Sequence, residues 1–464
     1  MTRHACAPRL AATLVAVFLS SIAVAQDAPA DTPRTVEGRL ANLEETVRRL
    51  EDGKAAPTPT DVPQPTVFAG WDNGFVLRSP DDQFLLRITG QIQAEYRDYL
   101  NSADTTDIPT FLIRRARLGI EASVLRYFEF RLLPDFGQGN TRLQDAYLNV
   151  HYWNEFQFET GKFKQPFSLE QLIQDRYVPT VERSLIDQLV PARDVGAMIH
   201  GQGLFGDRLD YGVSVYNGLQ NGDQDTDANK EAAGRIVVRP FRGLGLLDFI
   251  ELFQIGVAVT YGEDDGVLQP TVVRTPANVP WFVFATGVRP DGRRARCSPE
   301  LAYIYGPVMV LAQYYREWEV LRAPASGRSR AADVDLNARG FYVLGTCLLT
   351  GEERKSVSQA IEPLSPFEPH AGHYGFGAWE ILGRVSQLEF DSDDPAAVRL
   401  VDRIRTADRA TEFLAGVNWY LNQYVRVQFS WEYARFSSRI RLGPGPAGLL
   451  DHQNSFIVRT QIIF

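Results

Sequence analysis

Three arginines, Arg114, Arg115 and Arg117, stand inside "FLIRRARLGIEASV" (residues 111–124), a run that otherwise reads as an apolar strand. A guanidinium is permanently charged and presents a planar fork of donors that matches carboxylate and phosphate oxygens, so the chemistry on offer is the holding or guiding of anions. Along a strand, side chains alternate between faces. Ala116, Leu118, Ile120, Ala122 and Val124 therefore share one side, and Arg115, Arg117, Glu121 and Ser123 share the other. Alone, this is compatible with a soluble sheet that has one core face and one solvated face, and the rest of the chain has to decide.

Catalytic signatures are missing. There is no G-x-S-x-G, phosphate loop, H-E-x-x-H or cysteine pair at metal-binding spacing, so no enzyme activity, cofactor or metal is expected. "HAGH" (His370, His373) has no third ligand nearby and reads as loop. "DQDTD" (Asp223–Asp227) starts like a calcium loop but lacks the glycine and the later glutamate.

The first 25 residues have a basic start (Arg3, Arg9), an apolar stretch "LAATLVAVFLSSIAVA" and the small-x-small end Ala23-Val24-Ala25, the form of a secretory signal peptide. Cys6 lies within it. Cys297 and Cys347 remain and could pair or stay free in an oxidising compartment. At 23% charged and 44% hydrophobic, the chain has no apolar run of eighteen residues, which leaves only strands as a way across a membrane.

Residues 34–54 contain Val36, Leu40, Leu43, Val47 and Leu50 at spacings of four, three, four and three. They read as either an ordinary amphipathic helix or a short self-associating coiled coil on the periplasmic side. A Pro-rich linker follows at 55–69.

From about residue 70 to 464, period-two segments recur. "FLLRITGQIQAEYR" separates Phe84, Leu86, Ile88, Ile92, Ala94 and Tyr96 from Arg87, Thr89, Gln91, Gln93, Glu95 and Arg97, and "TEFLAGVNWYLN" and "YVRVQFSWEYARF" do the same. Segments of roughly nine to eleven residues or more, aromatics near their ends (Tyr96, Tyr99, Tyr152, Trp153, Trp419, Tyr420, Tyr424) and polar, often acidic inserts predict an all-β transmembrane barrel. At roughly 25 residues per strand with its loop, the count is about sixteen antiparallel strands. The closing "SFIVRTQIIF" alternates and ends on Phe464, like the terminal strands by which outer-membrane barrels are recognised for assembly.

In so wide a barrel the inner face lines water, and charge there costs little. By parity the lumen receives Arg87, Arg97, Arg115, Arg117, Arg131, Arg235, Arg239, Arg339, Arg384, Arg426 and Arg459, with Glu95, Glu121, Glu129, Asp145, Glu380 and Glu432 among them. Residues 165–194 are too long and too apolar for a surface turn. They predict a loop folded into the barrel, carrying Arg176, Arg183 and Arg193, with Lys162 and Lys164 on the strand leading in. Over 162–194 these five basic groups face Glu170, Asp175, Glu182, Asp187 and Asp194. They therefore read either as an anion path or as paired structural charges. The net charge of −9 says little about the pore, because acidic loops contribute much of it. No nucleic-acid partner is expected.

The chain resembles the phosphate-selective porins O and P in "RRARLGIEASVLRYFEFRLLPDFG", "DAYLNV", "GKFKQPFSLEQL", "VERSLIDQLVPARDVGAMIHG", "GFYVLGTCLLTGEER", "GAWEILGRVSQLEF" and "GVNWYLNQYVRVQFSWEY". The resemblance implies a sixteen-stranded homotrimeric barrel in outer-membrane lipid, narrowed by its third loop, in which basic residues guide small anions such as phosphate. The chain departs from that pattern in one respect. Only five of its 48 basic residues are lysine, and a constriction cluster of lysines is not evident. A structural barrel that tethers the envelope through the amino-terminal helix, with little transport, is the alternative.

Overall fold

A computed structural model describes residues 36–51, 67–100, 108–222, 224–245, 247–442 and 448–464. The expected signal peptide at 1–25 and most of the linker lie outside the described residues, and the chain divides into two units at Pro65/Thr66.

The first unit contributes one helix, Val36–Glu51. Leu40, Leu43 and Val47 of its apolar seam are exposed, at 58%, 62% and 49%. A coiled coil requires a second helix against that seam. The described residues of this unit supply a single helix, so the coiled-coil expectation is not supported.

The second unit is built from strands, and no described helix is long and apolar enough to cross a membrane. A hairpin of β1 (Phe68–Trp71) and β2 (Phe75–Arg78) precedes β3 (Phe84–Tyr99), β4 (Thr110–Val124), β5 (Phe128–Asp135), β6 (Arg142–Trp153) and β7 (Phe156–Lys164). After the long 165–192 loop come β8 (Arg193–Gly203), β9 (Leu209–Tyr216), β10 (Glu231–Val238) and β11 (Gln254–Asp264). A small ribbon, β12 (Val272–Arg274) with β13 (Pro280–Val283), leads to β14 (Arg289–Tyr305), β15 (Val308–Ala323) and β16 (Ala332–Leu348). A second ribbon, β17 (Phe367–Glu368) with β18 (His373–Tyr374), precedes β19 (Ala378–Asp391), β20 (Arg409–Tyr420), β21 (Val425–Arg441) and β22 (Leu449–Ile463).

Leaving aside the β1–β2 hairpin and the two ribbons, sixteen antiparallel strands pair in sequence order, and β22 pairs with β3 from Ser455↔Tyr99 to Ile463↔Gln91, closing the barrel. Closure removes the free sheet edges. Phe464 completes the seam by exchanging two backbone hydrogen bonds with Gly90. Its ring lies where a Cβ on Gly90 would be 2.2 Å away, which explains the glycine. Trp71 and Phe75 flank that ring at 6.1 and 5.9 Å.

The two ends of the barrel differ. Short turns join β4 to β5, β6 to β7 and β14 to β15, and the same end carries a long insertion at 349–377. The opposite end has the 165–192 loop and the connections 265–288 and 392–408. These form one apolar cluster inside the barrel, in which Leu185, Ile186 and Leu189 join Trp281, Phe282 and Leu400 against Tyr315, Tyr342 and Leu388 of the wall. Segment length and apolar content in the sequence identified only the first of these inward segments.

Alternation sets the faces as expected on β3, β20 and β21, with some corrections elsewhere. Tyr420 points inward, is buried and donates to Glu380 Oε2 at 2.7 Å, and Tyr99 donates to the Ala277 carbonyl at 2.8 Å, so neither belongs to an outer aromatic girdle. Cys297 and Cys347 are free thiols on β14 and β16.

Candidate pore and its constriction

The opening stretch departs from simple alternation at one point. Gln93 of β3 faces Arg115 of β4, but the next residue, Ala94, faces Ile113, so Arg114 is the extra residue of a β-bulge. Arg114 and Arg115 therefore both reach the lumen. Two adjacent arginines could not do so on a regular strand.

What they meet is the inward loop. Glu182 accepts from Arg114 Nε at 2.6 Å, from Arg97 Nη2 at 3.1 Å and from Arg459 Nη2 at 2.9 Å, and Arg115 Nη2 lies 3.7 Å away. Asp175 pairs with Arg183 at 2.7 Å and contacts Arg117, while Arg115 and Arg193 each stand at 3.8 Å. Burial pushes both carboxyls up, but the arginines outweigh it. Arg183, Arg117 and Arg115 hold Asp175 well below the usual carboxylate range, and Arg114, Arg115, Arg459 and Arg97 do the same for Glu182.

Further acids complete the network. Glu95 takes Arg97 at 2.8 Å and Arg459 at 2.6 Å, Asp135 takes Arg117 at 2.7 Å, and Asp145 takes Arg193 at 2.7 Å and Arg131 at 3.3 Å. Such a network resists change because removing one partner strands a buried charge.

The far side of the loop is held through its backbone. Arg384 donates to the Glu182 carbonyl at 2.7 Å and to Glu412 at 2.7 Å, Asn418 and Gln428 donate to the Pro179 carbonyl at 2.9 and 2.8 Å, and Gln461 donates to the Arg176 carbonyl at 3.1 Å. Within the loop, Ser168 caps Leu169–Leu172, and Ser184 donates through its backbone and hydroxyl to Glu170. Ile186 approaches Gly340 so closely that a Cβ there would stand 2.6 Å from it.

The sequence-derived set therefore divides by position. Arg97, Arg115, Arg117, Arg183, Arg193 and Arg384 belong to the network that seats the loop. Lys164 donates to the carbonyls of Gln171 and Ile173 at 2.6 and 3.0 Å, again holding the loop. Arg87 and Arg131 face the lumen nearer the short-turn end, paired with Asp72 at 2.8 Å and with Glu121 at 3.2 Å. Arg235 faces inward and donates to Glu300 at 3.0 Å. Arg239 lies beyond the end of β10 with Asp207 and Asp210, at the rim.

One expectation fails on strand parity. Arg339 falls between the inward Ala338 and Gly340 and pairs on the outer face with Glu389 at 3.2 Å, so it does not line the pore. Lys162 is buried on β7, two residues before Lys164, where the simple alternation of the strand breaks down. Sequence reasoning had not assigned Arg114 a place. The signal was present, since consecutive arginines on a strand require a bulge if both are to avoid lipid.

Open space lies beneath the loop. A cavity of about 1250 Å³ is lined by Arg87, Glu121, Arg131 and Tyr147 of the wall, by Gln174, Arg176 and Tyr177 of the loop, and by Glu352, Lys355 and Gln359–Glu362 of the 349–377 insertion. It adjoins a second cavity of about 260 Å³, lined by Arg117, Asp145, Glu159, Arg193 and His200. Gln174 and Arg176 line both.

A closed barrel of sixteen strands with a charged, loop-narrowed lumen defines a bacterial outer-membrane porin. The description "phosphate-selective porin O and P" matches residues 86–440, and the chain belongs to that family. No match is found among curated protein sequences. Among solved structures, the chain is similar to the outer-membrane channel DcaP of Acinetobacter baumannii, at 10% identity over 86% of this chain and 100% of that one, with a TM-score of 0.51. It is also similar to OmpT, an outer membrane protein of Vibrio cholerae, at 12% identity over 82% and 98%, with a TM-score of 0.50. At such identities the likeness is one of fold.

Proposed function

We propose that the protein is a passive channel for small hydrophilic solutes that favours anions such as phosphate, working as a homotrimer in outer-membrane lipid. The observation that carries the anion preference is Arg176. It lies on the inward loop where the two cavities meet, donates to Gln174 Oε1 at 2.8 Å and stands 5.2 Å over the Tyr177 ring, with no carboxylate at ion-pair distance among the described residues. A guanidinium selects anions where neighbours do not neutralise it and where a narrow lumen focuses its field. Outward-facing Ile113, Leu118, Leu132, Leu148 and Phe158 suit lipid or an adjacent barrel.

The apolar packing of the 165–192, 265–288 and 392–408 segments favours a second reading, a structural barrel with little conductance. Planar-bilayer recording separates the two. A porin of the first kind gives ohmic steps and a reversal potential of anion sign in a salt gradient, whereas a structural barrel gives no steps.

A further inference from the structure

One buried basic group, near the short-turn end of the lumen, has no counter-ion among the described residues. Arg426 of β21 is 3% exposed, its Nη2 donates to Gln461 Oε1 at 3.1 Å, and its Nε has no hydrogen-bond partner. Its guanidinium lies 5.9 Å from the centre of the Tyr420 ring, and no carboxylate comes within ion-pair distance among the described residues. Glu380, which the Tyr420 hydroxyl touches, is already paired with Arg354. Leaving a buried charged donor unmet is costly, and bringing it an anionic oxygen removes that cost.

A second arginine with no carboxylate partner among the described residues is close by. Gln461 accepts from Arg426 and donates to the Arg176 carbonyl at 3.1 Å, and both arginines line one small cavity of about 20 Å³. Tyr177, Gln359 and Ile361 line it too, and with Arg176 they also line the 1250 Å³ vestibule, so the small cavity is a side recess of the large one. The geometry points to a subsite for an organic monocarboxylate. Its head enters the recess between Arg426 and Arg176, and its hydrocarbon body lies in the vestibule against Tyr177 and Ile361. A planar two-oxygen head matches the guanidinium fork, and the recess admits a head group rather than a whole solute. This inference rests on the anion-favouring reading above and narrows it to a solute class.

The test uses benzoate as probe on the folded, detergent-solubilised protein, by titration calorimetry, with planar-bilayer conductance recorded separately. R426Q and R176Q are each expected to weaken benzoate binding about tenfold, the loss of one charge-assisted hydrogen bond. Inorganic phosphate should compete less well than acetate. Where R426Q fails to fold, R176Q carries the test, because among the described residues its side chain hydrogen-bonds to Gln174 and stacks on Tyr177, both of its own loop. Unchanged benzoate affinity in R176Q, no binding to the wild type, or phosphate displacing benzoate better than acetate does would each overturn the subsite. A wild type that binds benzoate but passes no current would sink the channel reading alone, and one that conducts but does not bind would sink the subsite alone.

Discussion

Arg114 Nε donates to Glu182 Oε1 at 2.6 Å, joining the bulge in β4 to the tip of the inward loop. Three more arginines, Arg97, Arg115 and Arg459, converge on the same carboxylate. Replacing Glu182 with Gln leaves four guanidinium groups facing one another around a neutral amide. The expected cost is about 3–5 kcal/mol of folded-state stability. The variant should lose its heat-resistant folded band at a lower temperature than wild type and show noisier, larger conductance steps. Wild-type melting would mean that the loop is held by its apolar contacts alone.

The same geometry changes what the neighbouring arginines do. As solvated pore residues, Arg115 and Arg117 could be reversed to Glu with a shift in selectivity and little loss of folded protein. In the structure they abut Asp175, Glu182 and Asp135, so the double change gathers five acids in one buried place. The expectation is a large drop in folded barrel, read by protease resistance in outer-membrane fractions. Normal yield with only a shifted reversal potential would restore the simple anion-path role.

What could be read from the sequence follows from period. Alternation on β3, β20 and β21 gave the faces correctly, the domain length divided by a strand with its loop gave about sixteen crossings, and the length and apolar content of 165–194 gave the inward loop. Partnership across the lumen has no periodic signature. That Glu182 would meet arginines from β3, β4 and β22 depends on where the barrel closes, and one bulge shifts it. The mixed charge count over 162–194 was the usable hint, because five acids among five basic groups suit a clamp better than a bare conduit. Arg339 was misplaced for a related reason, since the β16 segment offered no clear alternation around it.

Acid should release the loop only late. Asp175 and Glu182 are held well below their ordinary values, so the stability they supply is whole above the unfolded carboxylate value of about 4, shrinks as pH falls below it, and is lost as pH falls through their own lower values. The part of the loop's protease resistance that Asp175 and Glu182 supply should therefore be constant from about pH 7 to about pH 5, with its loss confined to strongly acid conditions, and a change near pH 7 belongs to Glu170, whose carboxyl burial pushes up to about 7. Opening centred near pH 6 would point to other groups.

Gly340 tests the apolar seat. A Cβ at this position would stand 2.6 Å from Ile186 Cγ2 and 2.5 Å from the Gln387 carbonyl oxygen. Gly340→Ala should cost about 1–3 kcal/mol by forcing the loop off the wall. Adding Ile186→Ala should recover only part of this, since the carbonyl remains. Unfolding temperatures of the single and double variants check both statements, and a single variant as stable as wild type would show that the loop yields freely there.

Selectivity should follow accessibility rather than arginine number. Arg176 stands at the meeting of the two cavities with no carboxylate partner among the described residues, whereas Arg339 sits on the outer face against Glu389. Arg176→Glu reverses a charge in the narrow lumen, where field lines concentrate, and adds no acid to the Asp175 and Glu182 clamps by direct contact. It should move the reversal potential toward cation preference with normal amounts of folded protein. Arg339→Glu changes the formal charge by the same amount but acts outside the lumen, where solvent and salt screen it, so the reversal potential should stay at the wild-type value. Equal shifts in the two variants would mean that selectivity reflects overall charge, and equal absence of shift would leave the vestibule without a role in choosing ions.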